Sequence, residues 1–147
     1  MQRLVDLLVA SESLTVAPGI TQLEHSLQVA TRARAARAAP DLVFGALMHD
    51  VGRLVAPEAH GRASAELIAP FVSPETYWVI RIHDEIRLPR FDDGDGPVSE
   101  ADRYANEPWF PLARIFAEDW DRYAFVPNAR TLPLPFFLPM MDALCNP

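Results

Sequence analysis

At 147 residues, half of them apolar, the chain has the length of one domain and enough hydrophobic material to bury a core without disulfides or a structural zinc. Its net charge of -7, with no Lys/Arg-rich run to offset it, excludes nucleic-acid binding driven by counterion release, while a locally positive pocket for a small anionic substrate stays compatible with it. The single cysteine, Cys145, rules out an internal disulfide or Cys-rich zinc site, fits a reducing cytoplasm, and has no neighbour in sequence that would lower its thiol pKa.

In chain order, Met1–Ala10 is interrupted by Asp6 and has no small-residue cleavage site after a proper hydrophobic stretch, so it does not read as a signal peptide. Thr21 and Glu24 form a capping box that opens a helix running to about Ala38, with Leu23, Leu27 and Ala30 facing inward and Arg32, Arg34 and Arg37 facing water; Pro40 ends it. Asp41 caps a second helix, Leu42–Val51, whose Val43, Phe44, Ala46, Leu47 and Met48 leave almost no polar face, so that it is expected to be buried. Gly52 stands where a C-terminal cap would be, and Pro57 marks the loop before a third helix, His60–Ala69, stopped by Pro70. Ser73 and Pro74 start a fourth helix through Tyr77, Trp78, Ile80 and Ile82 to about Leu88.

Beyond Pro89 the composition changes to an acidic loop, Asp92-Asp93-Gly94-Asp95-Gly96-Pro97. It does not fit a calcium loop, because the one register with carboxylates at positions three and five and glycine at six puts Phe91 at position one. Ser99 with Asp102 can cap a short helix, a fifth helix spans about Pro111–Tyr123, and a proline-punctuated tail carrying Phe136, Phe137, Met140 and Met141 reads as a lid over the core. The longest apolar run, Leu132–Met141, is broken by three prolines and falls short of the roughly twenty residues that cross a bilayer, so no membrane association is expected. No period-2 alternation marks a strand. The expected class is all-α, a compact bundle of about five core helices with a proline-rich C-terminal extension.

The four histidines, His25, His49, His60 and His83, each lie on or at the edge of a different expected helix. His49 and Asp50 terminate the most hydrophobic one, where an ionised carboxylate needs a compensating cation or hydrogen bonds. Imidazole and carboxylate together suit iron, manganese or zinc, and side chains converging from separate helices are how bundles build such sites. Taken singly, each histidine is more often a satisfied structural residue than a ligand, and the His-Asp pair alone is a weak signal.

The complete order, His25, then His49-Asp50, then His60, His83 and finally Asp121, resembles the HD-domain superfamily in its two-metal form. Gln22-Leu23-Glu24-His25-Ser26-Leu27-Gln28, Gly45-Ala46-Leu47-Met48-His49-Asp50-Val51-Gly52, Gly96-Pro97-Val98-Ser99-Glu100 and Trp120-Asp121 look in particular like the PhnZ-type mixed-valent di-iron oxygenases that cleave carbon–phosphorus bonds. The resemblance covers roughly residues 20–127 and implies a single HD domain over 1–147. It further implies a metal set of His25, His49, Asp50, His60, His83 and Asp121, with Asp50 bridging two iron ions (Fe2+/Fe3+, with manganese as the alternative) and Asp121 preferred over Asp119.

Under this resemblance Asp50, His60 and His83 surround the reacting centre, and the activity is O2-dependent oxidative cleavage of a small, hydroxylated, anionic, phosphonate-like substrate. Gln22 and Glu24 are candidates for supporting or substrate contacts, although Glu24 is equally the capping-box acid. Two departures stand out. The lysine that grips the phosphonate one turn after the last histidine is replaced by Arg87, a bidentate fork instead of a point charge, and the tyrosine that caps an iron is absent from Thr15–Pro18. Arg81 and Arg90 read as a solvated helix edge. A metal-dependent phosphohydrolase uses the same ligands and is the rival enzyme, and a non-catalytic metal-binding module is a third reading. The oligomeric state is not fixed by the sequence, with which a monomer is compatible.

Overall fold

The computed structural model describes residues 1–86 and 100–147. Helix α2 (Gln22–Ala35) opens with the expected capping box: the Thr21 hydroxyl accepts from the Glu24 N–H at 3.2 Å and the Glu24 carboxylate accepts from the Thr21 N–H at 2.7 Å. It closes earlier than Ala38, because Arg37 takes a left-handed conformation (φ 59°) and the Ala38 N–H turns back to the Ala33 carbonyl at 3.1 Å. The inward face also differs from expectation. Gln22, His25, Ser26, Val29, Ala30 and Ala33 are buried at helical spacing, whereas Leu23 and Leu27 are half-buried. Arg32 does not simply face water either, since its guanidinium donates to the Tyr123 carbonyl at 2.9 Å.

Helix α3 (Pro40–Met48) is the centre of the fold, with every residue from Leu42 to Met48 buried and α2, α5 (Pro74–Ile82) and α7 (Leu134–Cys145) packed around it. Pro40 does not terminate the preceding helix but forms the first turn of this one, where its missing N–H costs nothing. Gly45 brings α3 close to α5 (Pro74–Ile82): a Cβ there would lie 2.9 Å from the Thr76 methyl and 3.0 Å from Ile80. Helix α4 (His60–Ile68) and α5 start at the positions the sequence marks, with the Ser73 hydroxyl capping α5 through the Thr76 N–H at 3.2 Å.

Two elements were not legible. Helix α1 (Gln2–Ala10) docks through Leu4 and Leu8, and a two-stranded antiparallel hairpin joins β1 (Thr15–Ala17) to β2 (Ile20–Thr21) where no strand was expected. The hairpin turns at Gly19, whose φ of 72° suits a residue without a Cβ, and strands of three and two residues are too short to display an alternation. The proline-rich tail is itself mostly helical: α7 (Leu134–Cys145) carries Pro139 within it and buries Phe137 and Met141 against the core, as a lid would. The expected fifth helix is α6 (Phe110–Ile115) followed by a π-helical turn, Phe116–Asp121, and the short helix before it is a 3-10 segment, Glu100–Tyr104. Ser99, the acidic loop and Arg90 lie outside the described residues. Among the described residues no helix is long and apolar enough to cross a membrane. The architecture is all-α apart from the hairpin.

Asp41 corrects a further expectation. Its carboxylate does not cap α3 but reaches across to α5, accepting from the Ser73 N–H and the Thr76 hydroxyl, each at 2.9 Å. Burial pushes this carboxyl up, yet the hydrogen bonds from Ser73, Thr76 and the Leu42 backbone outweigh it and hold the group below its ordinary value. A folded-state pKa below the unfolded one contributes stability that is present above the ordinary carboxylate range and is lost as pH falls through the folded value. Asp41→Asn is therefore expected to lower stability by about 1–2 kcal/mol at neutral pH, and urea unfolding should show this gap closing as pH drops below about 4.

Candidate metal centre

Five separate elements deliver the six singled-out side chains to one point. His25 projects from the first turns of α2, His49 and Asp50 follow directly on α3, His60 opens α4, His83 follows α5, and Asp121 ends the π-helical turn. Asp50 lies in the middle, its side chain only 4% exposed. One of its oxygens, Oδ1, is 3.1 Å from His60 Nε2 and 3.2 Å from His83 Nε2. The other, Oδ2, is 3.4 Å from His49 Nε2 and 3.7 Å from His25 Nε2. Asp121 Oδ1 closes that second group, 2.9 Å from His25 Nε2 and 3.5 Å from His49 Nε2.

The backbone fixes which ring nitrogen carries the hydrogen. Each Nδ1 lies against a carbonyl, which can only accept: Ala124 for His25 at 2.9 Å, Ala46 for His49 at 2.8 Å, Pro57 for His60 at 3.1 Å and Ile80 for His83 at 2.6 Å. Each Nδ1 therefore donates, and the four Nε2 atoms turn lone pairs toward the two carboxylates. His25 Nε2 and His49 Nε2 stand 3.2 Å apart with lone pairs facing, an arrangement that a cation stabilises and that neutral rings alone do not. Donation of the second nitrogen to a carbonyl is also how metal-binding histidines are held in place. The donor set fits a transition metal. His25, His49 and Asp121 form one group able to hold an ion, and His49, Asp50 and His83 form another.

The carboxylates match this chemistry. When the rings carry a proton on Nε2 in place of a cation, burial pushes Asp50 up, but the charge of protonated His49 and hydrogen bonds from His60 and His83 hold it well below the usual range. Burial likewise raises Asp121, which His25 and His49 more than offset, so that both acids stay ionised.

Asp121 reaches the site because α2 ties down the chain that follows it. Beside the His25 contact to Ala124, Gln28 pairs with both backbone groups of Val126 at 2.9 and 3.1 Å, and the Thr31 hydroxyl accepts from the Leu132 N–H at 3.0 Å. The π-helical turn inserts one extra residue just before this anchored segment, with the Arg122 N–H reaching back to the Ala117 carbonyl at 3.2 Å. Phe116 in that turn sets its ring against the rings of His49 and His83, and Trp120 packs on Phe116. Asp119, the competing acid, is exposed.

Glu24 is exposed and spent on the capping box, so it supports no ligand. Gln22 is fully buried on the His25 face of α2, its amide nitrogen 3.4 Å from the Ser26 hydroxyl and its Oε1 without a hydrogen-bond partner among the described residues. Arg81 is half-buried and not simply solvated, held by Tyr77, Glu66 and Trp78. Burial raises the Cys145 thiol, which agrees with an inert cysteine. Arg87 lies outside the described residues.

Two residues escaped the sequence reading. Arg53, one helical turn past Asp50, places its Nε 3.0 Å from Asp50 Oδ2 and lines a 420 Å³ opening to the centre. The spacing from the His-Asp pair was the available signal. Phe125 stacks on the His25 ring, with centroids 4.1 Å apart and planes 13° from parallel, and lines the same opening. Nothing in its local sequence marked it.

A family model described as HD domain matches residues 23–124. No curated protein matches the chain.

Gly52 keeps the His60 side of the centre in register. A Cβ there would overlap the His60 carbonyl oxygen and lie 2.9 Å from both Ala63 Cβ and Ser64 N, while the Gly52 N–H donates to the Ser64 hydroxyl at 2.8 Å. Gly52→Ala is expected to cost about 1–3 kcal/mol by overpacking and to push His60 away from Asp50. Thermal unfolding together with metal titration checks this: a variant as stable as the parent, with unchanged metal uptake, would show that the close approach does not set the site.

Proposed function

The chain belongs to the HD-domain family, and from that premise we propose that it is a di-iron enzyme carrying out O2-dependent oxidative cleavage of a small, hydroxylated, anionic substrate of phosphonate-like chemistry. HD domains are commonly metal-dependent enzymes. One observation supports the dinuclear form for this chain: the two oxygens of Asp50 face different histidine pairs, His60 with His83 on one side and His25 with His49 on the other. A carboxylate so placed would offer one oxygen to a cation on each side. Iron at both positions, when bound, would supply redox chemistry with O2 at a coordinated substrate.

The chain's own residues would do the rest. His60, His83 and Asp50 surround the side of the centre that would receive substrate oxygens, and Arg53 provides the positive charge in the mouth that an anionic group requires. Gln22, buried beside His25, is proposed to orient the bound substrate, and Arg87, one turn beyond His83 in sequence, remains a second candidate cation. Phe116 and Phe125 cover the histidines and exclude water.

One observation counts against the oxygenase and leaves the phosphohydrolase, with the same ligand set, as its rival. The hairpin residues lining the opening are Thr15 and Val16, with no phenol among the described residues there to cap an iron. Oxygen consumption separates the two. The iron-loaded protein, given a panel of 1-hydroxyalkylphosphonates, is expected to consume O2 and to show a coupled electron paramagnetic resonance signal that the substrate perturbs. Anaerobic release of phosphate from phosphoesters, with no O2 uptake on any phosphonate, would overturn the oxygenase reading. Arg53→Met is expected to raise KM about tenfold or more with a smaller change in kcat.

A further inference from the structure

The opening to the centre is chemically two-sided. At its base lie Asp50 and the guanidinium of Arg53. Along its walls lie Phe125, from the segment after Asp121, and Leu14 and Val16, from the hairpin region. Phe125 is 39% exposed although its ring is stacked on a buried histidine, and Leu14 and Val16 are only half-buried. Three apolar side chains are thus left partly wet around a charged base, and among the described residues the only uncharged hydroxyl lining this opening is that of Thr15.

We propose that the substrate is amphipathic, with an anionic head at Arg53 and the metals and an unbranched apolar arm of a few carbons lying along Phe125, Leu14 and Val16. The inference rests on the preceding reading in taking this opening as the route to the metals, and it adds which molecules enter. A polyhydroxylated ligand such as a sugar phosphate finds almost no hydrogen-bonding side chain on these walls, so its hydroxyls lose water without replacement. Inorganic phosphate fills only the base and leaves the walls hydrated. An alkyl arm removes both itself and the walls from water, and 420 Å³ accommodates a ligand of that size. Phe125 acts here as a specificity-determining wall and not solely as a cover for His25.

The test is a calorimetric titration of the metal-loaded protein, under nitrogen, with inorganic phosphate and with methyl-, propyl- and pentylphosphonate. Affinity is expected to climb about two- to fourfold per added methylene. Phe125→Ala should flatten that climb, weakening the longer arms more than it weakens inorganic phosphate, Phe125→Leu should retain most of it, and Arg53→Met should weaken every member alike. A flat series in the parent, no binding of any member, or a slope that Phe125→Ala leaves intact would overturn the proposal. Should Phe125→Ala fail to take up metal, Val16→Thr and Leu14→Asn on the facing wall are required to reduce the slope instead, and an unchanged slope in both counts against it. A steep series in a protein that consumes no O2 retains the amphipathic substrate and removes the oxygenase, while O2 consumption with a flat series does the reverse.

Discussion

The structure is organised around one buried charge. Asp50 ends the most apolar helix in the chain, almost fully removed from water and ionised. Such a group costs several kcal/mol unless it is compensated. Four backbone carbonyls occupy the Nδ1 hydrogens of the four histidines, so what reaches Asp50 is a set of lone pairs. A cation satisfies carboxylates and lone pairs together. The helices are positioned to present that set, and much of the polar burial in the fold serves it.

The support extends well beyond the ligands. Helix α2 contributes His25 from one turn and, from the next turns, the side chains of Gln28, Thr31 and Arg32, which fasten the chain on the far side of Asp121. The same helix therefore supplies one candidate ligand, His25, and holds another, Asp121, in place. On the other side, Gly52 lets the turn after Asp50 press against the start of α4, which sets His60, and the Asp84 carboxylate accepts from the Gly61 N–H at 3.1 Å to hold that helix start against the turn after α5, where His83 lies. The two halves of the centre are locked by different contacts.

Much of this was legible because ligand chemistry is written in residue types. Only histidine and aspartate serve, and their placement at helix ends followed from capping signals such as Thr21–Glu24 and Ser73–Pro74, which the structure reproduces. What escaped shares a different property. The π-helical turn adds one residue without disturbing the buried spacing of Ala113, Phe116, Ala117 and Trp120, so no periodicity reveals it. Asp41 looked like a cap because it stands before a helix, yet its partners are 32 and 35 residues away. Arg53 and Phe125 acquire meaning only when the fold brings the turn after Asp50, the segment after Asp121 and the hairpin to one opening. Proline content hid the helical character of α7, although Phe137 and Met141 carry the one-turn spacing that buries it.

The central claim is that Asp50 joins two metal positions, and counting metal per chain addresses it most directly. Elemental analysis of the iron-reconstituted protein is expected to give about two ions per chain for the parent, about one for His60→Ala, which leaves Asp50 with His25, His49 and Asp121, and less than that for Asp50→Ala, which takes a ligand from both positions. Saturation of the parent at a single ion, or a His60→Ala protein that binds as much metal as the parent, would contradict it.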